Sequence, residues 1–81
     1  AAHHAERCRL IADAVAKGPH SVAELVPVMF TRPLDPHQLS FAFSEVFAHV
    51  NAMLRQDELR WVEPKAGIMR VAAAGIGTFK N

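Results

Sequence analysis

The sequence has little of what most often announces a function. One cysteine, Cys8, leaves neither an intrachain disulfide framework nor a cysteine-based zinc site, and a reducing, cytoplasmic setting is the expectation. Charge is nearly balanced: nine Lys+Arg against eight Asp+Glu give a formal net charge of +1, whereas many nucleic-acid-binding domains of this size are clearly basic. No apolar run approaches the roughly 20 residues of a membrane span, and no signal-peptide pattern is present. These absences argue against a membrane partner and weaken the case for nucleic acid.

What is present is a chain with enough apolar residues for one small core. It has 81 residues, of which 51% are hydrophobic, too many for a disordered segment. The abrupt opening, AAHHAER running straight into a helical pattern, suggests a segment of a longer protein.

Three helices follow from the spacing. From His3 to Lys17, Cys8, Ile11, Ala12 and Val15 fall on one face, and Gly18-Pro19 stops the run. Leu10 and Ala14 lie off that stripe, which hints at something to cover on the other side. Ser21-Val-Ala-Glu24 is a capping box, so the second helix starts near Val22. Leu25, Val28 and Met29 give it an inward side, and Pro27 predicts a short or kinked helix ending near Phe30. The third and longest runs from Asp35 to Gln56, with Asp35 as cap, Pro36 at the first helical position and Gln38 completing a capping box. Turning each residue by about 100° gathers Leu39, Phe43, Val46, Phe47, Val50, Met53 and Leu54 on one arc, the expected core face. The opposite face carries Phe41, Ala48 and Ala52 beside Glu45 and Arg55.

After Gln56 the period changes. Leu59–Glu63 and Ile68–Val71 are short β-prone segments separated by Pro-Lys-Ala-Gly, read as a four-residue turn. Leu59 and Trp61 share one side of the first strand; Met69 and Val71 share one side of the second. The last stretch, AAAGIGTFKN, reads as a loosely held tail. Three helices followed by a two-stranded antiparallel hairpin make a mainly α, α+β winged-helix fold, expected over residues 1–74 with a tail at 75–81.

Taken in order, H-H-A-E-R at 3–7, Ile11, G-P-H-S-V-A-E-L from Gly18 to Leu25, and A-H-V-N-A-M at 48–53 carry a resemblance. Together they resemble the winged-helix domain at the C-terminus of many metallo-β-lactamase-fold hydrolases. In that family an H-R-x-x-R-like opening is followed by an apolar helix, a G-P-x-T-x-x-E-L turn and an A-H-L-x-x-L helix end, with a glycine before the wing. The likeness spans roughly His3 to Val71. His4 stands where the pattern has Arg, and Asp57 stands at the expected glycine; Asp tolerates a left-handed backbone better than most residues. The resemblance implies a non-catalytic accessory domain that packs against the catalytic module of the same parent chain and helps frame its active-site entrance. It also implies that zinc, held by an H-x-H-x-D-H motif and later histidines, belongs to that missing module, with no cofactor in this chain.

The residues themselves agree. Among five histidines, His3 and His4 point about 100° apart on a helix, and His20, His37 and His49 have no ligand partner one turn away except Glu45 before His49. Ser21 is explained as a cap and Cys8 as core, with no arrangement that positions a base for either. The alternative is a DNA-binding winged-helix regulator whose third helix reads the major groove from Asp35, His37, Gln38, Ser40, Phe41 and Ser44. Its phosphate contacts would come from Arg32 and Arg55, with Arg60, Lys65 and Arg70 as a mildly basic wing. Acidic Glu45 and the scarcity of cations oppose it. An interaction face of Phe41, Glu45, Ala48, Ala52 and Arg55, meeting the catalytic module or a second copy in a homo-oligomer, is the expectation.

Overall fold

The polar ends of the helices set the frame on which the core is built. The computed structural model describes residues 2–74, and side chains from residue 5 onward. Helix α1 spans Ala2–Val15, α2 Val22–Met29 and α3 Pro36–Arg55, followed by strands β1 (Leu59–Lys65) and β2 (Ile68–Ala73) in one antiparallel sheet. This is the expected order of three helices and a hairpin. The expected tail at 75–81 lies outside the described residues, as do the side chains of His3 and His4.

Both capping boxes form. The Ser21 hydroxyl accepts from the Glu24 N–H at 3.1 Å while the Ser21 N–H donates to the Glu24 carboxylate at 2.9 Å. Asp35 accepts from the Gln38 N–H at 2.7 Å, and its own N–H donates to the Gln38 side chain at 3.2 Å. Each box satisfies N–H groups that the helix itself leaves without partners. Helix α2 continues through Pro27 to Met29 because Pro27 and Ala23, whose carbonyl loses the i+4 donor, both face outward. Phe30 then caps it, donating its N–H to the Val26 carbonyl at 2.8 Å.

Helix α3 ends in a Schellman motif. The Asp57 N–H donates to Leu54 O at 3.1 Å and the Glu58 N–H to Met53 O at 2.8 Å, with Asp57 at φ +61. The aspartate therefore occupies the left-handed position for which glycine is the usual residue.

The hairpin differs from expectation. Its turn has two residues, Ala66 and Gly67, both at positive φ (+53 and +78), the conformation whose twist matches paired strands. Lys65 pairs with Ile68, and Glu63 and Pro64 together oppose Met69 in a bulge between the Val62–Arg70 and Lys65–Ile68 pairs. Pro64, which has no N–H to offer the ladder, is accommodated where pairing is interrupted. At the other end Ala72 and Ala73 extend β2 rather than opening a tail. A third segment joins the sheet: the His20 N–H donates to Val71 O at 2.9 Å and the Val71 N–H to His20 O at 2.8 Å, tying the α1–α2 connection to β2.

The core lies between the three helices and the inner end of the hairpin. Ile11, Leu25, Val46, Val50, Met53 and Val71 are its fully buried large side chains, joined by Val15, Val26 and Leu59. In α1, Ala12 is exposed and Ala14 packs on the core, the reverse of the expected assignment. In α3 the buried residues are Ala42, Val46, His49, Val50 and Met53. This arc is rotated roughly 50° from the expected stripe. Leu39, Phe43 and Phe47, expected inside, are instead exposed, because α1 and α2 approach α3 from the Ala42–His49 side.

Two consequences can be measured. Asp57→Gly and Ala66→Asn each relieve a non-glycine left-handed position, and each is expected to raise stability by about 0.5–1 kcal/mol in urea unfolding. The Ser21 backbone N–H, helped by the charges of His20 and Arg70 and by the Ser21 hydroxyl, holds the Glu24 carboxyl below its ordinary range. A depressed carboxyl stabilises the fold above its unfolded-state pKa, and that contribution disappears as pH falls through the lower folded value. Glu24→Gln should therefore flatten the part of the acid-unfolding curve that lies below the ordinary carboxylate range.

Candidate functional site

Rotation of α3 creates the main surface feature. Leu39, Phe43 and Phe47 recur at i, i+4 and i+8 and so form one ridge along the helix. Beyond Leu59 and Val71 the hairpin extends past the core, so Trp61 and Met69, which share a face with those buried residues, stand in the open with Ile68. These six side chains are 42–56% exposed. The first turn of α2 lies between ridge and hairpin. One groove, over Ala23, Pro27, Leu39 and Phe43, adjoins a second, over Ala23, Phe43, Phe47, Trp61 and Met69.

With a large side chain presenting 150–250 Å² when fully exposed, six at about half exposure amount to roughly 500 Å² of apolar surface. That is at the upper end of the largest patch on an ordinary monomer, about 300–600 Å². Covering it would contribute on the order of 10 kcal/mol before the costs of association. Among the described residues no charged side chain lines the hairpin groove, so its chemistry suits an apolar partner surface.

The opposite side of α3 is different. Phe41 is 64% exposed, Ala48 and Arg55 are exposed, and Ala52 is half-buried. Glu45 is half-buried and ion-paired with Arg7 of α1 at 3.5 Å, while the Arg7 guanidinium lies 5.6 Å from the centre of the Phe30 ring. The interaction face expected from the sequence is thus a mixed surface crossed by an interhelical ion pair, and the larger apolar area lies elsewhere.

The candidate DNA contacts lie on the α2–α3 loop and the hairpin, where Lys65 and Arg70 line one groove. Arg32 sits in the α2–α3 loop, and Arg60 and Lys65 are exposed on β1. Arg70 is half-buried and donates to the Glu63 carbonyl at 3.3 Å. The remaining candidates are accounted for structurally. Ser21 is engaged in its capping box and buried. Burial, and secondarily the nearby Glu58 charge, push the Cys8 thiol up, which keeps it protonated and poorly nucleophilic. His49 is buried on α3 with Nδ1 2.7 Å from the Glu45 carbonyl oxygen, so its nearest tie to Glu45 is to the backbone rather than the carboxylate. Among the described residues no three His, Cys, Asp or Glu side chains gather as a metal site would require.

The sequence pattern puts the expected interaction face on the Phe41 side and Leu39, Phe43 and Phe47 inside, whereas these three residues form an exposed ridge. The signal was present in the three large residues at i, i+4, i+8 together with Trp61, Ile68 and Met69 near a hairpin tip.

Comparison with known proteins places these observations in context. Residues 8–74 match the family described as metallo-beta-lactamase-like, C-terminal domain. Among solved structures, a beta-lactamase domain protein from Burkholderia ambifaria is similar, at 40% sequence identity and a TM-score of 0.83, over 89% of this chain and 22% of that one. The chain therefore spans about a fifth of the length of that protein. A search of curated proteins gave no match.

The helix faces can be checked by substitution. Phe41→Ser and Phe47→Ser are each expected to change the stability of this chain by less than about 1 kcal/mol, whereas Leu25→Ala should cost about 2–4 kcal/mol. Urea unfolding of the three variants measures this; a loss of several kcal/mol at Phe47 would place it back in the core.

Proposed function

This chain belongs to the family of metallo-β-lactamase-like C-terminal domains, and from that premise we propose that it is the non-catalytic accessory module of a metal-dependent hydrolase. In this reading it has a winged-helix fold and packs on the catalytic module of its own parent chain. The ridge of α3 and the outer half of the hairpin supply the contact, and the hairpin tip helps frame the entrance to the active site. Zinc and the hydrolytic groups belong to the catalytic module, and the compartment is cytoplasmic.

The observation that carries the proposal is the apolar surface of Leu39, Phe43, Phe47, Trp61, Ile68 and Met69. A domain of this size exposes so much apolar area at a risk of aggregation, unless another surface covers it. The size of the related protein favours a large covering partner: most of its length lies outside the part that this chain matches. The hairpin extends beyond the core, and its exposed apolar side is continuous with the α3 ridge. One partner surface can therefore touch both, leaving the Ala66–Gly67 turn at the margin of the contact. A turn at the rim of an active site excludes water and limits which substrates enter without contributing a catalytic group.

The DNA-binding reading is less well supported. A recognition helix needs cations flanking its exposed face to neutralise phosphates. Here that face is hydrophobic with Arg32 as the cation lining its groove, Arg70 is half-buried and donates to the Glu63 carbonyl, and Glu45 lies on the other side of the helix.

Trp61 is the only tryptophan and lies within the proposed contact, which makes it a clean probe. Adding the catalytic module of the parent enzyme to this chain should shift the Trp61 emission to the blue and reduce its quenching by acrylamide about twofold or more, as burial of an indole requires. Phe47→Ser should weaken the effect. Unchanged emission and quenching at saturating catalytic module would refute the assignment of this face.

A further inference from the structure

One exposed aromatic is not part of the apolar face. Phe41 projects from the other side of α3, and the groove beside it is chemically mixed. The groove runs between Arg7 of α1 and the α2–α3 loop, with Phe30 and Phe41 as apolar walls and Arg7, Arg32, His37 and Gln38 as its polar groups. Three separate elements converge there: Arg7 from α1, Arg32 from the connecting loop, and His37, Gln38 and Phe41 from the first turns of α3.

The two arginines are held differently. Arg7 is fixed by the Phe30 ring at 5.6 Å and by the Glu45 carboxylate at 3.5 Å, so it is oriented in advance but partly neutralised. Arg32 forms no ion pair among the described residues and supplies the uncompensated charge. A guanidinium recognises carboxylate and phosphate oxygens through paired N–H donors, and an adjacent exposed ring offers a stacking surface for an apolar body. Ligand sites commonly combine these features: mostly apolar walls with a few convergent polar groups that fix orientation.

We propose that this groove binds a small organic anion in which a carboxylate or phosphate is attached to an aromatic ring. The oxyanion lies between Arg32 and Arg7, with His37 at its edge, and the ring packs against Phe41. The site adjoins the groove over Leu39 and Phe43, with which it shares Phe30, Arg32 and Leu34, while Arg7, His37 and Phe41 line it alone. It also gives a role to the most exposed large hydrophobic among the described residues.

The test is a titration of the chain, followed by two-dimensional amide NMR, with phenyl phosphate and benzoate as probes. Inorganic phosphate and benzyl alcohol serve as the charge-only and ring-only controls. Saturable shifts at Arg32, His37 and Phe41 are expected for phenyl phosphate, benzoate or both, with each control binding at least about threefold more weakly than the better probe. Arg32→Gln should weaken probe binding about fivefold or more, and Phe41→Ala should reduce phenyl phosphate to the level of inorganic phosphate. Arg32 and Phe41 are both exposed, so these variants keep the fold. The proposal is overturned by the absence of saturable shifts up to about 20 mM probe, a concentration well above the millimolar range of even weak sites. It is equally overturned if a control binds as well as both probes, if Arg32→Gln leaves affinity unchanged, or if the shifts centre on Trp61.

Discussion

One stripe of α3, Val46, Val50 and Met53 with Ala42 and His49 beside it, holds the other elements in place. Helices α1 and α2 and strand β1 all lean on this helix, and β2 closes the remaining side by packing on α1 and α2. Because the core is a single layer of side chains such as Ile11, Leu25 and Val71 against that stripe, it can cover only about a third of the helix circumference. The rest of α3 must face outward. Its sequence is apolar over more of its circumference than that, and the excess becomes surface.

This constraint links the fold to the proposed role. In the proposed role, a helix buried on one side and apolar on an adjacent one lies between its own small core and a larger body. The hairpin reinforces the geometry: its inner half is pinned by Leu59, Val71 and the His20 bridge, while its outer half carries the same apolar face past the core. Neither half of the contact surface requires a charged residue. The interhelical ion pair and its cation–aromatic contact, Arg7 with Glu45 and Phe30, lie instead on the far side of the helix.

Much of the architecture was legible in the sequence because local chemistry determines it. Ser21 with Glu24, Asp35 with Gln38, and Gly18-Pro19 mark helix ends whatever the helices pack against. Asp57 at the end of α3 tolerates a left-handed backbone better than most residues, and it adopts one. The phase of α3 was not legible. When Leu39, Phe41, Ala42, Phe43, Val46, Phe47 and Ala48 spread over most of the helical wheel, periodicity identifies a helix without selecting the side that α1 and α2 will approach. The buried arc falls where small Ala42 and polar His49 let neighbouring elements come close, a choice made by tertiary packing. The hairpin turn is shorter than its sequence suggests for a related reason: Pro64 reads as a loop residue, yet a bulge accommodates it within β1. The larger exposed apolar area therefore lies on the ridge and hairpin rather than on the face of Phe41, Glu45, Ala48, Ala52 and Arg55.

The central claim is that the Leu39–Phe43–Phe47 ridge and the hairpin, rather than the Phe41 side, meet the catalytic module. Hydroxyl-radical footprinting, read residue by residue by mass spectrometry, compares the two surfaces directly in this chain alone and in the intact parent enzyme. The account predicts that Phe43, Phe47, Trp61 and Met69 oxidise several-fold more slowly in the parent while Phe41 reacts at an unchanged rate. Protection of Phe41 with undiminished oxidation of Trp61 and Met69 would contradict it.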